Sequence, residues 1–362
     1  MRKATRFMAL LAALCLLLPL FGSAGETGVR VAGKAFPPDA EEVDLRGVKL
    51  RDEKELMKAM GSLPRARVVY LEGSGLKLKS LAALSLAYPG VLFSAPFTLF
   101  GRELHTADTE ADLGNAKMTG YQSLLWAVQS MPHLTKLTAF GAALNQKRYE
   151  ALLAARPGLE LNCTLRFLTY SLRTDATAFS TRKGNHKPFY KNRDFDILKY
   201  VPGLLALDLG HNHVNDLAFL RQWPGLKILI MADNKIDDLT VIGELADLEY
   251  LELFMNPFTD VTPLQKLTKL KDLNISWTSV ADVTPLMEMT WLERLWVTQI
   301  KPRLPEGQMD ALRAALPGTE INDTAWLSTQ GGWREHPRYL TQANIFGLQV
   351  YRGWDDPKPE AP

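Results

Sequence analysis

Cysteine is almost absent from this chain, and its basic and acidic residues nearly cancel. The 362 residues include two cysteines, 42 lysines and arginines, and 40 aspartates and glutamates. Cys15 lies in an N-terminal apolar stretch, so Cys163 alone would remain in a mature chain, without an internal disulfide. Cys163 follows an apolar run and is expected to be buried and unreactive. A near-neutral protein has no long-range field to capture anionic polymers, so we expect neither nucleic acid nor a membrane as partner.

The sequence also lacks the motifs of common hydrolases and metal enzymes. It contains no Gly-x-Ser-x-Gly and no His-Glu-x-x-His, and its six histidines show no metal-ligand spacing. His211, with Asp208 and Asp233 nearby in the repeat pattern, could mimic a base and its orienting carboxylate. However, no serine or cysteine nucleophile occupies the same repeat positions. We therefore expect no enzymatic activity, no cofactor and no bound metal.

Residues 1–24 have the character of a secretory signal peptide. Basic residues at positions 2, 3 and 6 precede an apolar core from position 8 to 21, and the small residues Gly22-Ser23-Ala24 follow. We expect cleavage after Ala24. The alternative is an uncleaved membrane anchor, but the apolar stretch is shorter than the ~20 residues that a span requires. The prediction is a secreted or cell-surface protein without membrane contact after cleavage.

Five leucines stand 22 residues apart, and the sequences around them share the frame L-x-x-L-x-L-x-x-N-x-I. These leucines are Leu204, Leu226, Leu248, Leu270 and Leu292. This frame is the signature of a leucine-rich repeat, whose units cannot bury their apolar faces alone and stack into a solenoid. Residues 195–300 are therefore predicted to form five regular repeats of an α/β solenoid. A curved parallel β-sheet would line its concave side, and helices and turns its convex side.

A longer repeat surrounds these units. Residues 56–109 recur as residues 124–177, shifted by 68 positions, and ALRAALPGTEIN at 311–322 mirrors ALLAARPGLELN at 151–162. Each copy reads as a strand, a helix that Pro-Gly ends, and a second strand. We predict irregular helix-containing repeats over 25–194, with two long edge loops at 97–117 and 166–194. A C-terminal capping repeat over 301–327 and a tail over 328–362, disordered from position 355, complete the predicted chain.

Two polar positions recur within the 22-residue unit. Position nine is Asn212, Asn234 and Asn256. A stacked amide ladder of these residues would satisfy main-chain groups that each turn leaves unpaired. Thr278 interrupts the ladder, so a substitute hydrogen bond from its hydroxyl group is expected. Position 13 is an aspartate at 216, 238, 260 and 282, which we interpret as a turn residue rather than a calcium ligand.

Strand alternation predicts which side chains point outward on the concave side. Positions three, five and eight should face away from the core and expose a cluster of aromatic and charged groups, which marks a contact site. The predicted ligand-binding residues are Tyr250, Glu252, Phe254, Met255, Asp272, Asn274, Trp277, Arg294 and Trp296. We expect the tail from Trp333 to pack along the last repeat as a lid. The alternative is that the tail folds back over these rings.

Four units end in Asp-(Leu/Val)-x-x-(Leu/Ile), and two of them contain VTPL, at Val261–Leu264 and Val283–Leu286. This pattern resembles the 22-residue repeat of bacterial internalins. DFDILKYVPGLLALDLGHN at 194–212, LEYLELFMN at 248–256 and GGWREHPRY at 331–339 make the chain similar to secreted leucine-rich repeat proteins of Gram-positive gut bacteria. The resemblance implies a secreted or surface-exposed binding role, although no LPxTG wall-anchoring motif is found.

These features predict a monomer that binds a protein or glycan ligand of unknown identity through its concave face. The alternative is a structural scaffold of the cell envelope without a discrete ligand. The basic segment RKGNHKPFYKNR, from Arg182 to Arg193, could bind nucleic acid or an acidic glycan. We interpret it as a solvated loop instead, because the rest of the chain is neutral.

Overall fold

The computed structural model describes residues 28–183 and 189–347. One unit of the chain comprises Met1–Phe97, His105–Ala107 and Gln129–Pro132, and the other Thr98–Leu104, Asp108–Val128 and His133–Pro362. Each unit is described by itself. The predicted signal peptide, positions 184–188 of the basic segment and positions 348–362 of the tail lie outside the described residues.

The N-terminal unit contains a hairpin and a three-stranded parallel sheet. Its elements are β1 (Val29–Val31), β2 (Lys34–Phe36), β3 (Glu42–Asp44), α1 (Lys54–Met60), β4 (Val68–Tyr70), α2 (Leu78–Ala87) and β5 (Leu92–Ser94). β1 and β2 form the hairpin, and the sheet has the order β3-β4-β5. The middle residues of the three sheet strands, Val43, Val69 and Phe93, are fully buried. Leu81 and Leu84 stand one turn apart on α2, so both enter the same core.

A hairpin and a four-stranded sheet follow along the chain. The hairpin consists of β6 (Pro96–Leu99) and β7 (Arg102–His105). The next elements are β8 (Glu110–Gly114), α3 (Tyr121–Ser130), β9 (Lys136–Leu144), α4 (Gln146–Ala155), β10 (Glu160–Phe167) and β11 (Tyr170–Arg173). The sheet order is β11-β10-β9-β8, with the first pair antiparallel and the others parallel. Cys163 is buried on β10, which confirms the expected burial, and this burial raises the pKa of its thiol to about 12, which disfavours the reactive thiolate.

The 68-residue sequence period is also a period of the secondary structure. α2 and α4 each have ten residues and begin 68 positions apart. A buried threonine then joins the second strand of each copy to its hairpin. Thr106 Oγ1 accepts a hydrogen bond from the backbone N–H of Ala95 (2.9 Å), and Thr174 Oγ1 accepts one from that of Cys163 (3.1 Å). The two copies therefore share one local architecture as well as a sequence pattern.

The 22-residue period gives one three-residue strand per unit of a seven-stranded sheet. Its strands are β12 (Ala178–Ser180), β13 (Ala206–Asp208), β14 (Ile228–Ile230), β15 (Tyr250–Glu252), β16 (Asp272–Asn274), β17 (Arg294–Trp296) and β18 (Glu320–Asn322). All neighbouring pairs are parallel, and each repeat position falls in one column across the sheet. The predicted α/β leucine-rich repeat solenoid is confirmed.

The connections between these strands are short and close together. They carry 3₁₀ helices at Asn192–Tyr200, Ala218–Gln222, Ile242–Glu244, Thr262–Lys266 and Thr284–Glu288, while α5 (Gln308–Ala315) precedes β18 and α6 (Pro337–Ile345) follows it. The repeated aspartates make local turns, since Asp238 Oδ1 accepts from the backbone N–H of Thr240 and Asp260 Oδ1 from that of Thr262, both at 2.8 Å. A Cβ on Gly243 would lie 2.4 Å from the carbonyl oxygen of Pro263, so glycine permits the close stacking of these two connections.

The asparagines at position nine tie each repeat to the one before it. Asn234 Nδ2 donates to the carbonyl oxygens of Leu209 (3.0 Å) and Met231 (3.1 Å), which lie in successive units. Its Oδ1 accepts from the backbone N–H of Val214 (2.9 Å). Asn212 and Asn256 are buried in the same column and make equivalent bonds. Where Thr278 replaces asparagine, its hydroxyl donates to the carbonyl of Ile275 (2.7 Å), which confirms the expected substitute bond.

Candidate functional site

The concave face consists of the side chains at positions three and five of the repeats. Position three contributes Ala206, Ile228, Tyr250, Asp272 and Arg294, and position five contributes Asp208, Ile230, Glu252, Asn274 and Trp296. All three residues of β15, β16 and β17 are buried, including those that point away from the repeat core. The expectation that these aromatic and charged groups are open to solvent is wrong. The structure has the alternative arrangement, in which C-terminal residues cover the rings.

The covering residues are 328–346, here called the C-terminal segment. The concave face holds the backbone of this segment through side-chain donors. Asn274 Nδ2 donates to the carbonyl of residue 328 (2.7 Å), Trp296 Nε1 to that of residue 330 (2.8 Å), and Arg294 Nη2 to those of residues 332 and 333 (3.0 and 3.2 Å). These bonds recognise a polypeptide main chain, whichever side chains it carries.

Trp333 is the aromatic anchor of the C-terminal segment. Its indole is fully buried and packs against the rings of Trp296 (centroids 5.1 Å apart) and Tyr250 (5.5 Å). Its Nε1 donates to Glu252 Oε1 at 2.9 Å. The guanidinium of Arg294 lies 4.6 Å from the centre of the Trp333 ring, where a cation–π interaction adds to the contact. Two ring contacts, one hydrogen bond and one cation–π interaction thus hold the indole on the concave face.

Arg338, at the start of α6, is the charged anchor of the C-terminal segment. Its Nε and Nη2 donate to the two carboxylate oxygens of Asp272 at 2.6 and 2.8 Å, and its Nη1 donates to Glu293 at 2.6 Å. Asp272 is fully buried, and Arg294 is its second cationic neighbour at 3.6 Å. Hydrogen bonding to Asp272 raises the pKa of Arg338. A forked guanidinium matches a carboxylate in two bonds at once, which makes this contact both strong and directional.

A small cavity lies between the concave face and the C-terminal segment. It is lined in part by Arg182, Asp208, Glu252, Arg334 and Tyr339. Burial raises the pKa of both carboxyl groups, those of Asp208 and Glu252. Glu252 accepts a hydrogen bond from the hydroxyl of Tyr250, and Asp208 accepts one from Ser180 Oγ at 2.8 Å. Both acidic groups are therefore buried beside residues of the C-terminal segment.

The C-terminal segment reaches across the sheet rather than along its last repeat. Ser328 is held by β16 and Gln330 by β17, while Phe346 belongs to one buried cluster with Ala206 of β13. The expectation that the tail packs along the last repeat is therefore wrong. Tyr339 of α6 and Phe346, which caps its C-terminus, are both buried in this cluster, because they are seven residues, or two helical turns, apart.

Two of the predicted ligand residues lie on the rim of the concave face and remain accessible. Met255 is 43% exposed, and Trp277 is half-buried, with Lys301 Nζ 5.8 Å from its ring centre. Both stand at position eight, where every regular repeat has a left-handed backbone: His211, Asp233, Met255, Trp277 and Gln299 have φ values of 60°, 51°, 59°, 57° and 55°. Phe254, by contrast, is buried in the cluster with Trp333. The recurrence of this conformation shows that it belongs to the repeat turn itself.

The remaining sequence-based candidates form local contacts. His211 Nδ1 lies 2.9 Å from Asp233 Oδ2, a contact between adjacent repeat turns. In the basic segment, Arg182 enters the cavity and reaches Tyr339 Oη at 3.5 Å, while Phe189 stacks on His213. The interpretation of this segment as wholly solvated is therefore wrong for Arg182. Within residues 28–183 and 189–347, no cluster of three metal-binding side chains occurs. In the same part of the chain, every helix is too short or too polar to cross a bilayer.

Comparison with known proteins adds a resemblance of fold. No protein-family model and no curated relative matches the sequence. Among solved structures, internalin C2 of Listeria monocytogenes is 19% identical, with 55% of this chain and 84% of that chain covered and a TM-score of 0.35. An internalin of the same species, InlF, is 17% identical (78% and 82% covered, TM-score 0.36). A leucine-rich repeat protein of Leptospira interrogans is 16% identical (73% and 74% covered, TM-score 0.35). Likenesses of this size establish no function, so the fold assignment rests on the repeat frame and the sheet register.

The sequence predicted the side chains of the concave face but not most of the residues of the C-terminal segment that bind to it. Periodicity singled out Tyr250, Asp272, Arg294 and Trp296, and the register brings them together. Arg338 is outside any repeat, so no spacing marked it. A signal did exist in the chain: a segment with two arginines and several aromatic residues follows a sheet whose outward positions are rich in carboxylates.

Proposed function

We propose that this protein is a non-enzymatic, secreted or surface-exposed leucine-rich repeat protein that binds a polypeptide ligand on its concave face. Its own C-terminal segment holds that face closed, and the ligand binds by displacing the segment. In this proposal the protein is a monomer. The predicted signal peptide supports export.

One observation carries this proposal: the concave face donates side-chain hydrogen bonds to main-chain carbonyls of a polypeptide. Asn274, Trp296 and Arg294 contact carbonyls within residues 328–333, and these carbonyls are common to every peptide. A glycan offers hydroxyl groups at other spacings, so a protein ligand fits this set of donors better. The carboxylates and aromatic rings between the donors would then select among peptides.

Competition with the C-terminal segment lowers the apparent affinity of an external ligand. A tethered segment acts at an effective concentration on the order of millimolar, and a ligand binds only the fraction of molecules in which the face is open. A variant with a loosened segment should therefore bind more tightly than the wild type. The double variant Trp333→Ala/Arg338→Ala, here called the opened variant, removes both anchors in the full chain.

The test is selection of a phage-displayed library of random 20-residue peptides on the wild type and on the opened variant. A matched control is Trp326→Ala/Arg303→Ala, which removes the same residue types at exposed positions; Trp326 is 70% exposed. We expect peptides to be enriched on the opened variant and much less on the control. Circular dichroism would verify that each variant is folded. Absence of enriched peptides on a folded opened variant would refute the proposed function.

A further inference from the structure

We infer that the polypeptide bound by the concave face is basic and aromatic: an arginine enters the Asp272 site, and a tryptophan-like ring enters the pocket formed by Tyr250, Glu252 and Trp296. This inference rests on the proposed function and adds the chemistry of the ligand to it. The C-terminal segment serves as the template, since it meets the requirements that the face imposes on any occupant.

The first requirement is a guanidinium at Asp272. Both carboxylate oxygens of this fully buried residue accept bonds from Arg338, and the remaining cation, Arg294, stands farther away at 3.6 Å. An occupant without a cation would leave a buried carboxylate short of a partner, which is strongly unfavourable. A lysine offers a point charge rather than a fork and cannot reproduce the two parallel bonds. Asp272 therefore selects arginine and rejects acidic or aliphatic side chains.

The second requirement is a flat ring with an N–H donor. The Trp333 indole fills the space between Trp296 and Tyr250, beneath the guanidinium of Arg294. Its N–H satisfies Glu252, which is itself buried. An aliphatic side chain would lose both the cation–π contact and this hydrogen bond. Tryptophan meets both conditions, and phenylalanine meets only the first.

The charge of the concave face without the C-terminal segment also favours a basic ligand. Without the C-terminal segment, the sheet and its edge would present the carboxylates of Asp208, Glu252, Asp272, Glu293 and Glu320. Three cationic groups would oppose them: the guanidinium groups of Arg182 and Arg294, and the ammonium of Lys271 beside Glu293. The vacated face therefore carries more negative than positive charges. The C-terminal segment has the opposite balance, with two arginines, at 334 and 338, and one glutamate, at 335. A basic ligand would be drawn to such a face and an acidic one repelled.

The spacing of the two anchors defines a motif. Trp333 and Arg338 stand five residues apart, and their partners Glu252 and Asp272 lie on the adjacent strands β15 and β16. A ligand needs a tryptophan and a following arginine that can span the same interval. Such a motif can be sought directly among peptides selected without bias.

The experiment examines the peptides selected on the opened variant. Expected are peptides in which arginine and tryptophan are enriched over the starting library. Each selected peptide is synthesised with a fluorescent label, and its Kd is measured on the opened variant and on the same protein with Asp272→Asn or Glu252→Gln. Asp310→Asn, at an exposed position, is the matched control. We expect at least a tenfold weaker Kd with Asp272→Asn and an unchanged Kd with Asp310→Asn.

The outcomes separate this inference from the proposed function. Selected peptides that are acidic or aliphatic, or whose Kd is unaffected by Asp272→Asn, would overturn the ligand chemistry while the proposed function stands. A folded opened variant that selects no peptide, or that binds arrayed glycans instead, would overturn both. If the opened variant does not fold, Arg338→Gln alone takes its place, because it leaves Trp333 intact and still frees Asp272.

Discussion

Replacement of Trp333 by alanine should release the C-terminal segment while the repeats stay folded. Trp333 is fully buried, but its contacts are with the outward side chains of the concave face, not with the leucine core of the repeats. Truncation of a buried tryptophan to alanine costs about 3–5 kcal/mol. The loss of the bond from Nε1 to Glu252 favours the upper part of this range. The substitution should therefore destabilise docking of the C-terminal segment rather than folding of the repeats, since the leucine core keeps all its contacts.

Hydrogen exchange measures this cost locally. In α6 the backbone N–H of Tyr339 donates to the carbonyl of His336 and that of Phe346 to Gln342, both at 2.9 Å, so these amides are protected while the segment is docked. Because 1.4 kcal/mol is a tenfold change in an equilibrium constant, about 3–5 kcal/mol should accelerate their exchange roughly 10²-fold to a few thousand-fold in the variant, toward the upper end of this range. Amides of β13 to β17 that bond between strands should change little.

A control and a contradictory result complete this test. Trp326→Ala removes the same side chain at an exposed position shortly before the segment and should leave the exchange of α6 unchanged. The reasoning would be refuted if Trp333→Ala behaved like this control. It would also be refuted if the strands of the sheet lost protection together with α6, because docking would then be inseparable from folding of the repeats.

Three further predictions concern the charges of the site and the stacking of repeats. Asp272→Asn should loosen the C-terminal segment by roughly 3 kcal/mol, because it removes the charge that Arg338 and Arg294 share, and hydrogen exchange of α6 would report it. Gly243→Ala should lower the free energy of unfolding by about 1–3 kcal/mol in urea titration, because the added Cβ meets a carbonyl oxygen at 2.4 Å. As pH rises, the thermal unfolding temperature of Glu252→Gln should increase relative to that of the wild type. Burial raises the pKa of Glu252, so its contribution to stability is fully present below the unfolded pKa of about 4.3 and is lost as pH rises through the folded pKa.

Each of these predictions has a control. Asp310→Asn changes the charge at an exposed position and should leave α6 protected. Gly225→Ala adds a Cβ that meets no atom within 4 Å, and it should unfold at the same urea concentration as the wild type. A difference between Glu252→Gln and the wild type that is constant with pH would show that the raised pKa is not what governs this site.

The repeat frame of the sequence was enough to predict the sheet and its register. Leucines 22 residues apart fix one strand per unit, and the ladder of Asn234 and its neighbours keeps the units in line. The columns of the concave face follow directly, so the receptor side chains at positions three and five could be named before the structure was known. Local periodicity carries this information because a solenoid is built from contacts between adjacent units.

The occupant of the face could not be predicted in the same way. The bond from Trp333 to Glu252 joins residues 81 positions apart, and that from Arg338 to Asp272 spans 66 positions. Such contacts leave no period in the sequence, and no sequence feature distinguished Trp333 from the other aromatic residues of the tail as the anchor. The complementarity of a carboxylate-rich face and an arginine-bearing segment was present in the sequence, but the partner of each charge is decided by the three-dimensional path of residues 323–337.

Binding of the isolated C-terminal segment in trans tests the central claim most directly. A labelled peptide with the sequence of residues 328–347 would be titrated with the wild type, the opened variant and the Trp326→Ala/Arg303→Ala control, and fluorescence anisotropy would follow binding. If the concave face is a polypeptide-binding site closed by its own chain, the peptide binds the opened variant and fails to bind the wild type and the control. Binding to none of the three folded proteins, or equal binding to all three, would contradict the account.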